Sequence, residues 1–159
     1  MARSKKSQYT VKADRVIYLL LSPLSKDFFI SHCQKSLIID VFKHHYYGKR
    51  YKTEASIETL KKKELHPCLF ILETVNATKV EAYNYVIVWT KIFSEAGYTS
   101  LDKGNVLCYA EDLYENNLLL YNKRKPTIIE DYLKCSNCLV SNYGRRQCRL
   151  YKGEENDGK

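Results

Sequence analysis

Short apolar runs separated by turn residues predict three β-strands. Residues 15–21 and 28–33 are mostly apolar and suit buried strands, and the Pro23-containing segment 22–27 between them has the composition of a tight turn. Residues 68–75 form a third run of this kind. The pattern therefore predicts a hairpin followed, after a longer connection, by a third strand.

Helical periodicity fills the rest of the chain. Apolar residues recur every three to four positions in four segments, which are 35–45, 55–64, 78–95 and 106–121. The third segment begins with Thr78 and Glu81, which have the spacing of a capping box. Gly48 and Gly97 are expected to end the first and third helices. The sequence thus predicts an α+β fold.

Composition and charge narrow the class of partner. The chain has 159 residues, 45% of them hydrophobic, and a net charge of +8. Such a charge favours an anionic partner: nucleic acid first, with an acidic protein or an anionic membrane as alternatives. No apolar run approaches the ~20 residues of a membrane span, and no signal-peptide segment is evident. We therefore expect a cytoplasmic protein without a membrane partner, whose six cysteines are mostly reduced.

Shifts in composition divide the chain into five predicted parts. A basic tail, a folded domain, a helical extension with a basic linker, a cysteine-rich segment and a polar tail are expected at 1–11, 12–100, 101–134, 135–151 and 152–159.

Two triplets carry a resemblance to a known family. Val16-Ile17-Tyr18 lies in the first predicted strand and Phe29-Ile30-Ser31 in the second. A basic helix, a third strand and a helix bearing Glu81 follow. This order, over residues 14–100, resembles the GIY-YIG nuclease domain. The resemblance implies a small three-stranded antiparallel sheet flanked by helices, and cleavage of phosphodiesters with one divalent metal.

The resemblance also implies a catalytic site, which this chain matches in part. Tyr18 and His45 fit the family's tyrosine and histidine, and Glu81 fits the glutamate that would hold Mg²⁺. The second tyrosine and the arginine are replaced by Phe29 and Val41. Phenylalanine cannot relay a proton, and loss of one charge stabiliser typically lowers a rate by about 10²–10³. We therefore expect an impaired catalytic site.

A dense basic and aromatic run covers residues 43–52. Lysine and arginine can neutralise phosphates, and tyrosine rings can stack on unpaired bases. The predicted nucleic-acid contacts are Lys43, His44, Lys49, Arg50, Tyr51, Arg145 and Arg146. Residues 61–63 and 123–125 could extend this track, and the alternative interpretation is a solvated surface loop. DNA is ranked ahead of RNA, although no base-reading helix is evident.

The cysteines near the end of the chain suggest a structural zinc site. Cys135 and Cys138 form a CxxC pair, and Cys148 follows ten residues later. Thiolates at this spacing can chelate one tetrahedral Zn²⁺. Cys108 is the first choice for the fourth ligand, and another cysteine or a histidine is the alternative. Free thiols or a redox pair are the other interpretations.

The sequence therefore predicts a nucleic-acid-binding protein on a nuclease-like scaffold with an impaired site. The first alternative is an active Mg²⁺-dependent endonuclease. The second is a protein–protein interaction module that uses the helix at 106–121. The salt dependence of binding distinguishes nucleic-acid binding from protein docking, because phosphate binding weakens steeply with ionic strength and apolar docking does not.

Overall fold

The structure, a computed structural model, describes residues 11–48, 52–104, 106, 109, 110, 113 and 115–140. Four strands lie in these ranges, namely β1 (Ala13–Leu21), β2 (Asp27–Gln34), β3 (Cys68–Ala77) and β4 (Thr99–Ser100). Four helices have both ends there, namely α1 (Ile38–Tyr47), α2 (Glu54–Lys62), α3 (Lys79–Glu95) and α4 (Glu115–Arg124). The predicted α+β class is confirmed.

The four strands form one sheet in the order β3-β1-β2-β4. β1 pairs antiparallel with both β2 and β3, and Tyr18 lies opposite Ser31. The predicted hairpin is therefore confirmed. The prediction of a three-stranded antiparallel sheet is incomplete, because β4 adds a short strand parallel to β2 and makes the sheet mixed.

The fourth strand has a local cause that the hydrophobic pattern does not reveal. Gly97 adopts a φ of 97°, which is favourable only for a residue without a side chain, and it turns the chain back after α3. Thr99 N then donates a hydrogen bond to Lys26 O at 2.9 Å, and Leu101 N donates one to Phe28 O at 2.8 Å. Two residues of pairing are enough to place the following loop beside β2.

The helix predictions agree with the structure except near the C-terminal end. A 3-10 turn, Lys35–Leu37, leads into α1, which ends at Gly48. The capping box of α3 is confirmed, since Glu81 N donates to Thr78 Oγ1 and Thr78 N donates to Glu81 Oε1. The prediction of one helix over 106–121 is wrong: Leu113 is not helical, and α4 runs on to Arg124.

The core lies between the sheet and the helices. β1 is the central strand, and its residues 16–21 are all buried. On α3, the buried Trp89 ring lies 5.7 Å from the ring of Tyr132. Ile129 and Val140 belong to the same buried cluster, so the chain after α4 packs onto it as well. Within the described ranges, no helix has the length and apolar character needed to cross a bilayer.

Candidate functional site

A buried chain of three polar side chains joins β1 to the end of α1. Tyr18 Oη lies 2.9 Å from His45 Nε2, and His45 Nδ1 lies 3.0 Å from Thr53 Oγ1. Tyr18 occupies the central strand, His45 the last turn of α1, and Thr53 the position just before α2. None of the three side chains is more than 2% exposed. The structure thus brings together Tyr18 and His45, two of the three predicted catalytic residues.

The two hydroxyls hold His45 whichever ring nitrogen carries the proton. Tyrosine and threonine hydroxyls can each donate or accept a hydrogen bond. Both contacts are therefore satisfied in either neutral tautomer of His45, and also in the imidazolium form. Such a chain fixes the orientation of the His45 ring.

Phe29 packs against this chain from β2. Its ring centre lies 5.2 Å from that of His45, at an interplanar angle of 62°, and 6.4 Å from that of Tyr18. A phenyl ring therefore occupies the position that the resemblance gives to the second tyrosine. Val41 lies at the position predicted for the arginine. It is half-buried, packs against the core and does not line the cavity described next.

A cavity of about 420 Å³ opens beside His45 and Phe29. Residues 29–32 of β2 form one wall, and Tyr83 of α3 contributes to another. Lys52 and Asp102 also line it. The cavity thus combines aromatic rings, imidazoles and one pair of opposite charges.

Lys52 and Asp102 form an ion pair in this cavity. Lys52 Nζ lies 3.0 Å from Asp102 Oδ2, and the two side chains are 45% and 7% exposed. Asp102 Oδ1 accepts a hydrogen bond from Gly104 N, and the backbone amide of Asp102 donates one to Ser100 Oγ. The carboxylate is therefore fixed by its own loop, whereas the ammonium reaches into solvent.

A second concavity, of about 480 Å³, adjoins the first. Both are lined by Lys52 and Asp102, and the second adds Lys103 and Gly104. The two concavities therefore share the Lys52–Asp102 pair, and Lys103 lines the second one.

His32 is a neutral imidazole in the cavity wall. Burial lowers its pKa to about 4, and the positive charges of Arg15 and Lys79 contribute in the same direction. Its Nδ1 atom is buried and has no hydrogen-bond partner among the described residues. A negative charge placed nearby would favour protonation of His32, because it would offset the field of the two cations.

Glu81 does not reach the cavity. Its side chain is exposed, and its carboxylate accepts the hydrogen bond from Thr78 N at 2.9 Å. That hydrogen bond is the main cause that lowers the pKa of Glu81, and the charge of Lys12 adds to it. The structure therefore gives Glu81 a capping role and does not bring it together with Tyr18 and His45.

The predicted nucleic-acid contacts are described only in part. Lys43 and His44 are exposed on α1, whereas the adjacent His45 points inward. Five others lie outside the described residues, namely Lys49, Arg50, Tyr51, Arg145 and Arg146.

Two cations of the predicted track serve internal contacts. The Lys61 ammonium lies 4.8 Å from the ring centre of Tyr46. Arg124 Nε donates to Glu73 Oε1 at 2.8 Å, and its guanidinium lies over the ring of Tyr85. These side chains stabilise the fold, so they are weaker candidates for phosphate contacts than their exposed neighbours.

The cysteine prediction is mostly outside the described residues. Cys108, Cys148 and the side chain of Cys135 lie there. Cys138 is buried, and its Sγ accepts a hydrogen bond from Leu69 N at 3.4 Å. Among the residues that the structure does describe, no group of three or more potential metal ligands occurs. Zinc therefore stays a prediction.

Sequence reasoning missed several residues of the site. Thr53 has no motif around it, because its contact with His45 depends on the packing of α1 against the segment before α2. Asp102 follows β4, whose pairing with β2 no pattern indicates. Lys52 does lie within the basic run at 43–52, so charge density is the one signal that could have identified it.

A scan against models of known protein families finds no match, and searches of curated proteins and of solved structures find no similar protein. The function of the site is therefore inferred from its own geometry and charge.

Proposed function

We propose that this chain binds nucleic acid on a GIY-YIG-like scaffold whose catalytic site is impaired. The observation that carries the proposal is the hydrogen bond between Tyr18 and His45 beside a cavity that contains Lys52. Tyr18 and His45 match the tyrosine and histidine of the family's catalytic site, and Lys52 supplies a positive charge that can bind a phosphate. DNA is proposed ahead of RNA.

Charge around the cavity supports phosphate binding. The Lys52 side chain is 45% exposed, and Lys103 lines the second concavity. Lys43 and His44 add exposed basic groups on the surface of α1, whose last turn carries His45. Each lysine that neutralises a phosphate releases condensed counterions, which gives affinity without sequence preference.

Three features support impaired cleavage. Phe29 places a ring without a hydroxyl next to His45, and Val41 carries no charge. The carboxylate of Glu81 is committed to the cap of α3. In the alternative of an active nuclease, Glu81 would bind Mg²⁺ with the same carboxylate whose Oε1 accepts the capping hydrogen bond from Thr78 N.

A paired binding and cleavage assay on the full chain tests the proposal. Labelled single- and double-stranded DNA and RNA are each incubated with Mg²⁺, with Mn²⁺ and with EDTA. We expect salt-sensitive binding in all three conditions and intact nucleic acid throughout.

The same assay identifies the rival functions. Cleavage that requires metal and is abolished in Glu81→Ala would establish the active nuclease. Absence of salt-sensitive binding to every nucleic acid would overturn the proposal altogether.

The second candidate function, protein docking, has one observation in its favour. Leu118 and Leu119 of α4 are 44% and 64% exposed. Apolar side chains on an exposed helix face can bind a partner, although single exposed leucines are common. Replacing both by lysine should abolish such docking and leave nucleic-acid affinity undiminished.

A further inference from the structure

The cavity beside His45 has the dimensions of a small-ligand site. Its volume of about 420 Å³ falls within the roughly 300–1,000 Å³ typical of pockets that enclose small molecules. A double helix is far too wide to enter such a space, whereas one unstacked nucleotide can. Occupancy by nucleic acid would therefore require an unpaired strand.

The walls offer what an unstacked base requires. Tyr83 on α3, Phe29 on β2 and His45 on α1 all line the cavity, and Tyr83 is the most exposed of the three. Tyr83 is half-buried, and its ring is held edge-on against Tyr109, with the centres 6.5 Å apart and the planes at 86°. Planar rings fixed in this way are the usual platform on which proteins stack single-stranded bases.

The charged groups of the two spaces are Lys52, its ion-pair partner Asp102, and Lys103. Lys52 lines both the cavity beside His45 and the second concavity, whereas Lys103 lines only the second concavity. A nucleotide in the first space would place its phosphate near Lys52, and the next phosphate could follow toward Lys103. The two spaces together thus suit one strand and its backbone.

We infer that the cavity takes one unpaired nucleotide of a single strand, with its base against Tyr83 and its phosphate at Lys52. This inference rests on the proposed nucleic-acid binding and adds the class of ligand. It assigns Tyr83 a binding role that no motif in the sequence indicates.

The test compares a single-stranded oligonucleotide with the blunt duplex of the same sequence on the full chain. We expect the single strand to bind at least about tenfold more tightly. Tyr83→Leu should weaken single-strand binding by roughly five- to one-hundredfold, as loss of one stacked base does, and should leave duplex binding unchanged. Tyr83→Phe keeps the ring and should retain the wild-type affinity.

The outcomes separate this inference from the function on which it rests. Equal wild-type affinities for both ligands, or equal loss of both in Tyr83→Leu, would overturn the unpaired-nucleotide site while leaving nucleic-acid binding in place. No salt-sensitive binding to either ligand would overturn both. The wild-type comparison needs no variant, so the test stands even if Tyr83→Leu fails to fold.

Discussion

At the residue scale, His45 forms hydrogen bonds with two residues, Tyr18 and Thr53, of which the sequence indicates only Tyr18. Tyr18 follows from the resemblance to a nuclease triplet. Thr53 belongs to no motif, and it becomes a partner only because α1 and the start of α2 converge on one buried spot. Hydrogen bonds on both nitrogens fix the orientation of the imidazole.

Removing the Thr53 hydroxyl should destabilise the protein. In Thr53→Val, the buried His45 Nδ1 loses the hydrogen bond seen at 3.0 Å, which we expect to lower the free energy of unfolding by about 1–3 kcal/mol. Urea denaturation measures this change. Thr59→Val on the exposed face of α2 is the matched control and should cost less than about 0.5 kcal/mol. Equal effects would contradict a structural role for the Thr53 contact.

Asp102 is expected to compete with phosphate for Lys52. Asp102→Asn removes the charge 3.0 Å from the ammonium, while the amide oxygen can still accept from Gly104 N. Because this pair is partly exposed, we expect oligonucleotide affinity to rise only about two- to fivefold. Fluorescence anisotropy measures the change.

Two variants control for a general effect of net charge. The exposed Asp131→Asn changes the net charge of the protein equally and should leave the affinity nearly unaltered. Adding Lys52→Met to Asp102→Asn should cancel the gain. A gain that persists without Lys52 would show that the pair does not control binding.

At the element scale, the α3 cap predicts how stability depends on pH. The pKa of Glu81 is lowered in the folded protein, chiefly by the hydrogen bond from Thr78 N. The ionised carboxylate therefore contributes stability above the ordinary glutamate pKa, and this contribution is lost as the pH falls through the lowered value.

Glu81→Ala should thus be less stable than the wild type at neutral pH, and the two proteins should converge in acid. Thermal unfolding monitored by circular dichroism across this range measures the difference. The oligonucleotide affinity of the variant should be unchanged, because Glu81 is not among the residues that line the cavity. A difference in stability between the two proteins that does not change with pH would rule out the Glu81 carboxylate as its cause.

Arg124 joins α4 to β3 through a partly buried charge network. Glu73 Oε1 accepts from Arg124 Nε and from Trp89 Nε1, each at 2.8 Å. Arg124→Leu removes the cation that faces this carboxylate and should lower the free energy of unfolding by about 1–3 kcal/mol. Chemical denaturation checks the value. The adjacent, exposed Lys123→Leu is the control, and a similar loss there would argue against the network.

The elements themselves were largely predictable, and their lateral arrangement was not. Apolar periodicity and caps depend on neighbouring residues, so β1, β2, β3 and α1 to α3 follow from local sequence. β4 depends on hydrogen bonds to Lys26 and Phe28, about 70 residues earlier in the chain. Arg124, at the end of α4, likewise forms a hydrogen bond with Glu73, far away in sequence. Long-range contacts of this kind leave little trace in a single sequence.

At the scale of the whole molecule, positive charge and the cavity support the same function. The net charge of +8 favours an anionic partner but does not say where it binds. Among the described residues, Lys61 and Arg124 have internal partners, whereas Lys52 pairs with Asp102 and still leaves 45% of its side chain exposed at the cavity. Which lysines remain available could not be deduced from the sequence.

The salt dependence of oligonucleotide binding tests the central claim most directly. The logarithm of the association constant is measured against the logarithm of the salt concentration for the wild type, Lys52→Met and Lys134→Met. Lys134 is an exposed lysine outside both concavities. We predict a steep negative wild-type slope, a slope shallower by about one unit in Lys52→Met, and no change in Lys134→Met. A flat wild-type slope, or equal changes in both variants, would contradict phosphate binding at this cavity.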